Sequence, residues 1–528
     1  INQQIKEQKD FDFFSFGKYD NLSSCRVCNN SLTNIFSFNM SLAGGFLSKK
    51  SDVINEKLYP TTLSFCTKCK TGQIKEIIKK DLLFTNINNN TYFYYSSTIP
   101  YLYNHFTSLA DTIVKKFNPK NVLEIGCNDG VLLNQIYDMN PNIFCLGVDP
   151  SITIKNITNP KIITYNTFFG NKCTDEILKI YNKFDIITSS NCLAHMNDID
   201  SIFYNIKKML SKDGVVIIEV HYFKNIIDNL NFDFIYHEHM SYYTISSFVE
   251  ISKKFNFFIE DIELINIHGG SLRVYLKHYN NKFYIHPKLN NLLKNEMNIQ
   301  TDIKNLYKNI ELWKKEFLNF LNKEKSKNEL IIGYGASGRT NTILAYIDYY
   351  FDYIFDDSKY KINNYLPYFH TKILDSKMIY SMNNIKTIFI LAWPYAIDII
   401  KKHKDCKFLL PCSDILRPNI PELLESNNID FKCATMYRTV CSDLSDLKDV
   451  NYDVLVFFSP SGIKSLYQNF PDFKQNNTRI AVFGPTTAKA AEDAGLKIDI
   501  AAPQPESPSM TRALELYIKK ANKNGKKK

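Results

Sequence analysis

The chain has 528 residues, 45% hydrophobic and 22% charged, the make-up of a folded protein with room for about three or four domains. Its net charge of +10 is dispersed lysine plus a short basic end (Lys523, Lys526, Lys527, Lys528); lacking a clustered basic stripe, it is not expected to bind nucleic acid. From the polar opening INQQIKEQKD no secretory signal is expected, and the longest apolar stretch, Ile388 to Ile400, is broken by Pro394 and Asp398 and too short to span a bilayer.

Twelve cysteines in a chain read as lacking a secretory signal suggest reduced thiols, a cytoplasmic location and a metal site. Cys25-Arg-Val-Cys28 and Cys66-Thr-Lys-Cys69 have the two-residue spacing that points both sulfurs of a turn at one tetrahedral Zn²⁺. Four thiolates would close the coordination shell, so the zinc is expected to be structural. Redox chemistry is disfavoured, because no thioredoxin-like βαβ unit surrounds either pair. An Asn-rich loop (Asn86 to Asn90) then leads into Tyr92, Tyr94, Tyr95, Ser96 and Ser97, whose hydroxyls suit either a packed turn or a ligand.

A helix over Tyr101 to Phe117 precedes KNVLEIGCNDGVLL, Lys120 to Leu133. The run Val122 to Ile125 reads as a strand, Gly126-Cys127-Asn128-Asp129-Gly130 as a loop, and Val131 onward as a helix. Glycines at such a mouth let the backbone approach a ligand closely. A second strand, Ile143 to Val148, ends in Asp149-Pro150, an acidic position suited to ribose hydroxyls. A Gly-rich loop alone leaves nicotinamide cofactors and S-adenosylmethionine both open, although E-x-G-x-x-x-G is closer to the class I methyltransferase form.

The α/β rhythm continues through Phe184 to Ser190 and Asn191, then Leu193-Ala-His195, and a buried strand over Val215 to Val220. This pattern predicts a doubly wound domain. Phe232 to His239 follows, packing Tyr236, His237, Glu238 and His239 into successive positions. Three readings stand for it: a metal site, although the histidines lack i, i+4 spacing; a polar turn; or a general acid/base cluster.

The series C-x-x-C/C-x-x-C, Y-x-Y-x-S-S, E-I-G-x-N-D-G, N-x-x-A-H, Y-H-E-H and H-G-G-S-L-R-V-Y (His268 to Tyr275) resembles the zinc-containing sugar C-methyltransferases from about Cys25 to Lys404. That family acts on nucleotide-linked deoxy-keto-sugars. The resemblance implies a zinc lobe, an S-adenosylmethionine domain and a Rossmann-like domain, the last matching Gly333-Tyr-Gly335-Ala336 and Asp356-Asp357-Ser358. The family usually continues Ala-Pro-Ala-Lys-Gly where this chain has Ala336-Ser337-Gly338-Arg339-Thr340. It further implies cofactor contacts from Gly126, Cys127, Asn128, Asp129, Gly130, Asp149, Pro150, Ser190, Asn191, Ser96 and Ser97. His239 with Tyr236 would remove the proton beside the ketone, Glu238 would tune or hold, and His195 would contact the sugar. Tyr92, Tyr94, His237, His268 and Arg273 are the further expected substrate contacts.

After Phe408 the text changes. Val454 to Phe458 opens into Ser459-Pro-Ser461-Gly462, and Ile480 to Phe483 into Gly484-Pro-Thr486-Thr487, with helices expected over Lys464 to Phe470 and Ala488 to Ala494. From Phe408 to Lys519 this resembles the carboxyl half of uroporphyrinogen-III synthase, which binds a linear tetrapyrrole between two α/β domains. Tyr437, Ser459, Ser461, Thr486 and Thr487 would then meet that substrate.

The expected division is 1–80 for the tail and four-cysteine zinc domain, 81–280 for the methyltransferase and 281–407 for the second Rossmann-like domain. The partial synthase domain would follow over 408–519, and a basic tail over 520–528. The expected function is S-adenosylmethionine-dependent C-methylation of a nucleotide sugar. A uroporphyrinogen-III synthase fusion, a zinc-knuckle RNA methyltransferase and a non-catalytic scaffold are the alternatives.

Overall fold

Strand pairing near the amino end brings two cysteine turns face to face. The computed structural model describes residues 15–47, 56–84, 94–279, 287–324, 329–393, 396–402, 408–413, 425, 431–437, 452–504, 507 and 509–525. In it β1 (Thr33–Met40) lies antiparallel to β2 (Lys57–Phe65), and β2 to β3 (Gly72–Ile74). One C-x-x-C precedes β1 and the other forms the β2–β3 turn. Both fold alike: Asn29 and Lys70 have φ of 56° and 59°, and their N–H groups donate to the Cys25 and Cys66 carbonyls at 2.9 Å.

The next elements build a seven-stranded sheet. They are α1 (Pro100–Thr112), β4 (Asn121–Ile125), α2 (Val131–Met139), β5 (Phe144–Val148), β6 (Ile162–Tyr165), α3 (Asn171–Ile180), β7 (Phe184–Ser190), α4 (Ile199–Met209) and β8 (Leu210–His221). After α5 (Phe223–Asp228) and α6 (Ile245–Phe255), β9 (Phe257–Ile265) and β10 (Ser271–His278) complete it. The strand order is β9-β10-β8-β7-β4-β5-β6. β4 to β8 are mutually parallel, while β10 is antiparallel to both its neighbours. Helices cover both faces, so Val216, Ile217, Ile218 and Val220 are wholly buried, which explains their unbroken apolar run. α1 shows the complementary pattern, burying Leu102, Phe106, Leu109 and Ala110 at helical spacing. Local caps agree with the fold: Asp198 accepts from the Ser201 N–H, and Thr244 and Ser247 form a reciprocal capping box.

A long helix, α7 (Ile299–Glu324), leads to a smaller sheet: β11 (Leu330–Tyr334), α8 (Gly338–Ile347), β12 (Ile354–Asp356), β13 (Ile373–Asp375), β14 (Ile385–Ile390) and α9 (Ala396–Lys402). Its four strands are parallel in the order β13-β12-β11-β14. β15 (Phe408–Ser413) pairs with β16 (Phe431–Tyr437).

The chain divides into two units, Ile1–Pro411 with Arg417–Met436 and Cys412–Leu416 with Tyr437–Lys528; the elements up to α9 belong to the first, and the boundary passes through β15 and the end of β16. The second unit contains β17 (Val454–Phe457), α10 (Pro460–Asn469), β18 (Arg479–Phe483), α11 (Pro485–Asp493), β19 (Ile498–Ala502) and α12 (Met510–Gly525) around a three-stranded parallel sheet. α10 and α11 start about one turn earlier than the sequence suggests. Each opens on a proline at its first position, where the missing N–H costs nothing. Among the described residues no helix is long and apolar enough to cross a membrane.

Candidate active site

The sheet order turns back at β4, and a crevice opens there at the carboxyl ends of the strands, the usual ligand position in such folds. Gly126 leaves β4 with φ +79°, and a Cβ there would lie 2.4 Å from the Cys192 Sγ, so only glycine fits. Its N–H is held by the Val148 carbonyl at 2.8 Å. Asp149, at the tip of β5, accepts the Asn128 N–H at 2.9 Å on Oδ2 and the Ser151 N–H and hydroxyl on Oδ1. That leaves about one of its four acceptor positions for a ligand hydroxyl. The Ser96 N–H donates to Asn128 Oδ1 at 3.1 Å, and Asn128 Nδ2 to the Tyr94 carbonyl, which staples the Tyr/Ser turn over the loop.

The crevice widens into a cavity of about 1250 Å³, more than the roughly 300–1000 Å³ of a single small-ligand site. One wall carries Gly126, Cys127, Asn128, Asp149, Pro150, Ser190, Asn191, Tyr94 and Ser96; another carries His195, Tyr236, Glu238, His239 and His268; a third carries Gly335, Ala336 and Arg339. The Phe232–His239 segment is a short helical turn followed by a tight turn rather than a strand. In it the His239 Nδ1 contacts the Phe234 carbonyl at 2.8 Å, and the Tyr236 hydroxyl lies 3.2 Å from His239 Nε2. A carbonyl only accepts, so Nδ1 holds the proton and Nε2 presents a lone pair. His195 is fixed alike, its Nδ1 2.6 Å from the Glu238 carbonyl, and the His195 and His239 rings lie 5.0 Å apart.

Burial, then the neighbouring His195, keeps His239 well below the usual imidazole range. Burial lowers His195 too, and takes His268 down to about 4. Glu238 goes the other way: burial pushes its carboxyl up to about 7, opposed by the Gly44 N–H it accepts at 3.0 Å. The cavity thus holds neutral imidazoles beside a carboxyl that is half protonated near neutrality, the pairing expected of acid/base chemistry.

Several expected contacts lie elsewhere. His237 turns away from the cavity to Thr61 Oγ1 at 2.8 Å and the Pro60 carbonyl at 3.0 Å, because successive residues of the turn point to different neighbours. Arg273 spends its guanidinium on Glu219 at 2.6 Å and Glu263 at 3.1 Å inside the sheet. Ser97 donates to Asp129, and Gly130 caps α2 at φ +75°; all three brace the loop without lining the cavity. Tyr92 lies outside the described residues, as does the side chain of Tyr437, which ends β16. In the second unit Ser459, Ser461 and Thr486 sit at the mouths of α10 and α11, but Thr487, in the first turn of α11, is buried at 1% exposure.

Two groups on the cavity escaped sequence reasoning. His221 ends β8 with its ring 4.9 Å from that of His239, and Arg339 stacks 3.9 Å over the Phe234 ring while pairing with Asp233. Asp233 also accepts from the Trp393 indole at 3.0 Å. No local motif marks these residues; strand and helix ends distant in sequence bring them together.

The donor sets fit the expected cofactors. The four knuckle sulfurs all lie within 4.8 Å of one another, with 3.4 Å from Cys25 to Cys69 and 3.5 Å from Cys28 to Cys66. That is far beyond the roughly 2 Å of a disulfide and near the edge of a tetrahedron with Zn–S bonds of about 2.3 Å. Gln73 Nε2, 2.9 Å from the Cys25 Sγ, supplies the outer-shell hydrogen bond that thiolates need. On the cavity wall, Ser190 Oγ, Asn191 Oδ1 and Glu124 Oε2 are buried without a partner. They offer contacts to a polar, cationic ligand such as S-adenosylmethionine.

Family comparison agrees. Residues 25–84 match a zinc binding domain, 98–262 a methyltransferase domain, 266–409 the C-methyltransferase C-terminal domain and 397–512 uroporphyrinogen-III synthase HemD. The C-methyltransferase NovU of Streptomyces niveus is 24% identical over 334 residues, covering 61% of this chain and 78% of the relative. The uroporphyrinogen-III synthase of Saccharomyces cerevisiae is 31% identical over 134 residues, covering 22% of this chain and 48% of the relative. The chain therefore spans about half the length of that synthase. Among solved structures, the plantazolicin methyltransferase BpumL in complex with SAH shares 17% identity at a TM-score of 0.27, over 34% of this chain and 82% of that one. The chain thus carries a zinc binding domain, a methyltransferase domain and a C-methyltransferase C-terminal domain, the parts of an S-adenosylmethionine-dependent methyltransferase, with a uroporphyrinogen-III synthase HemD domain at its carboxyl end.

Proposed function

We propose that the first unit methylates a carbon beside the ketone of a nucleotide-linked deoxy-keto-sugar. The observation that carries this reading is the shared cavity: the glycine loop and Asp149 stand on one wall, and a neutral His239 with its Nε2 lone pair on another. A C-methylation needs a carbanion, and the proton beside a ketone is one that a positioned imidazole can remove, a contribution of about a hundred- to ten-thousandfold. His239 Nε2 takes that proton, and the C–H electron pair becomes the enolate. The Tyr236 hydroxyl, which holds Nε2 before the sugar enters, gives up that lone pair to the substrate, and Glu238 and His195 hold the sugar's oxygens. When bound, S-adenosylmethionine supplies an electrophilic methyl group for the enolate carbon. Gly126, Cys127, Asn128, Asp149, Pro150, Ser190, Asn191 and Ser96 would cradle it, with Tyr94 and His268 toward the sugar. A reducing compartment such as the cytoplasm suits the zinc thiolates.

The test is incubation with methyl-labelled S-adenosylmethionine and a panel of nucleotide keto-sugars. The reading expects a product gaining one carbon-bound methyl group, seen by mass spectrometry and NMR. Label that transfers only to oxygen, or to no sugar, defeats it. For the second unit, Ser459, Ser461 and Thr486 at two helix mouths support tetrapyrrole binding. Incubation with hydroxymethylbilane should then give type III product above the spontaneous type I background; background alone removes that role.

A further inference from the structure

Three imidazoles of the cavity are accounted for, two as lone-pair bearers and His268 toward the sugar; His221 has no role so far. It ends β8, is 6% exposed, and lines the cavity with its ring 4.9 Å from that of His239 and 5.5 Å from that of His268. Its Nδ1 is sealed from the cavity and meets no hydrogen-bond partner. A buried N–H with no acceptor is a costly arrangement, so the neutral ring carries its proton on Nε2, the nitrogen not sealed in this way. This is the reverse of His195 and His239, whose Nδ1 atoms give their protons to the Glu238 and Phe234 carbonyls.

We propose that His221 is a catalytic residue, donating its Nε2–H to the ketone oxygen of the substrate as His239 removes the neighbouring proton. The inference rests on the keto-sugar reading above. Electrons balance within that step: the C–H pair becomes the C=C bond of the enolate, the carbonyl π pair moves onto oxygen, and the proton resides on His239. The oxygen gains charge as this happens, and a donor already aimed at it is worth most at that moment. A neutral imidazole is suited to the task, because its N–H is retained rather than lost to the oxygen. Burial first, then His239, His268, Arg339 and His195 around it, disfavours the protonated ring and keeps His221 neutral.

The two halves of the reaction separate in deuterium oxide. With S-adenosylhomocysteine in place of the methyl donor, no methyl transfer occurs, and loss of the NMR signal of the proton beside the ketone reports deprotonation alone. The probes are the same panel of nucleotide keto-sugars, thymidine diphosphate 4-keto-6-deoxyglucose among them. The native chain should exchange that proton, and His239→Ala should not. His221→Leu should slow exchange by about a hundredfold, the usual loss of one such donor, while calorimetry shows the probe still bound. His221→Gln, whose amide reaches the Nε2 position, should stay within about tenfold of native, whereas His221→Asn, whose amide stops at the Nδ1 position, should resemble His221→Leu. The Gln/Asn comparison is between two polar residues, so it serves even if leucine unsettles the fold. Equal rates for Gln and Asn, or native exchange by His221→Leu, overturn the assignment to His221 and leave the keto-sugar reading standing. No exchange by the native chain overturns the keto-sugar reading, and this inference with it.

Discussion

An imidazole that takes a proton from carbon has to be unprotonated at the working pH, and the burial that keeps His239 neutral also makes it a weaker base. The gain is a constant supply of the reactive form; the loss is offset by a donor at the oxygen and by fixed geometry, with the Phe234 carbonyl setting the ring at Nδ1. His239→Ala should therefore lower turnover by about a hundredfold, the scale of a lost base, while calorimetric affinity for S-adenosylhomocysteine is unchanged, since the glycine loop is on another wall. His237 makes the contrasting case. It is 2% exposed, and burial holds it down to about 4. The unfolded chain takes up a proton on this residue as the pH falls below about 6.5, while the folded chain does not until about 4. Stability fully present above pH 6.5 is thus lost on going down toward pH 4, by up to about 3 kcal/mol for this residue. His237→Gln keeps a hydrogen-bonding group and removes that uptake, so its Tm should fall less than the native Tm between pH 6.5 and 4. An unaltered slope would show that the other imidazoles carry the acid sensitivity.

At the scale of elements, the zinc lobe holds in place the turn that carries His239. The strand Ser241–Tyr242, just after His239, pairs antiparallel with β3, whose Ile74 donates to the Met240 carbonyl at 3.1 Å. Arg26, inside the first knuckle, places Nη1 2.9 Å from the Ile74 carbonyl and 3.0 Å from the Met240 carbonyl. Losing the metal frees the knuckle, the arginine and then the position of His239. Chelation should consequently lower methyl transfer and the Tm together, with zinc restoring both, although no thiolate lies on the reaction path; transfer that survives complete zinc removal would separate lobe from site. The sequence made the metal ligands and glycine loop plain because each is a local device: a two-residue spacing, or a glycine between strand and helix. The direction of His237 was not readable, because neighbouring residues in a turn diverge by geometry that only the packed lobe decides. Arg273 misled for a similar reason. Its partners, Glu219 on β8 and Glu263 on β9, are cross-strand neighbours in the register of β10, and register is not written in a motif.

Across the whole molecule, the cores are separate as well as the folds. The buried clusters of the first unit run from the knuckle cysteines through Val216 and Ile218 to Phe389 and Leu391. Those of the second unit are built from Phe457, Ile463, Leu466, Ile480, Val482 and Ala491 on one side and Ala481, Ile500 and Met510 on another. The chain divides into two compact units, and cooperative unfolding follows such units. Calorimetric melting should then show two transitions. A ligand that binds only one folded unit stabilises that unit alone, by about 2.7 kcal/mol at a hundred times its Kd. S-adenosylhomocysteine at that level should raise one transition by several degrees and leave the other where it was. The shifted transition should also be the one that zinc chelation lowers, because the four-cysteine site and the glycine loop belong to the same unit. A single transition that moves as a whole with S-adenosylhomocysteine would mean that the synthase-like unit depends on the methyltransferase for its fold, and its chemistry would then have to be sought in the joined chain.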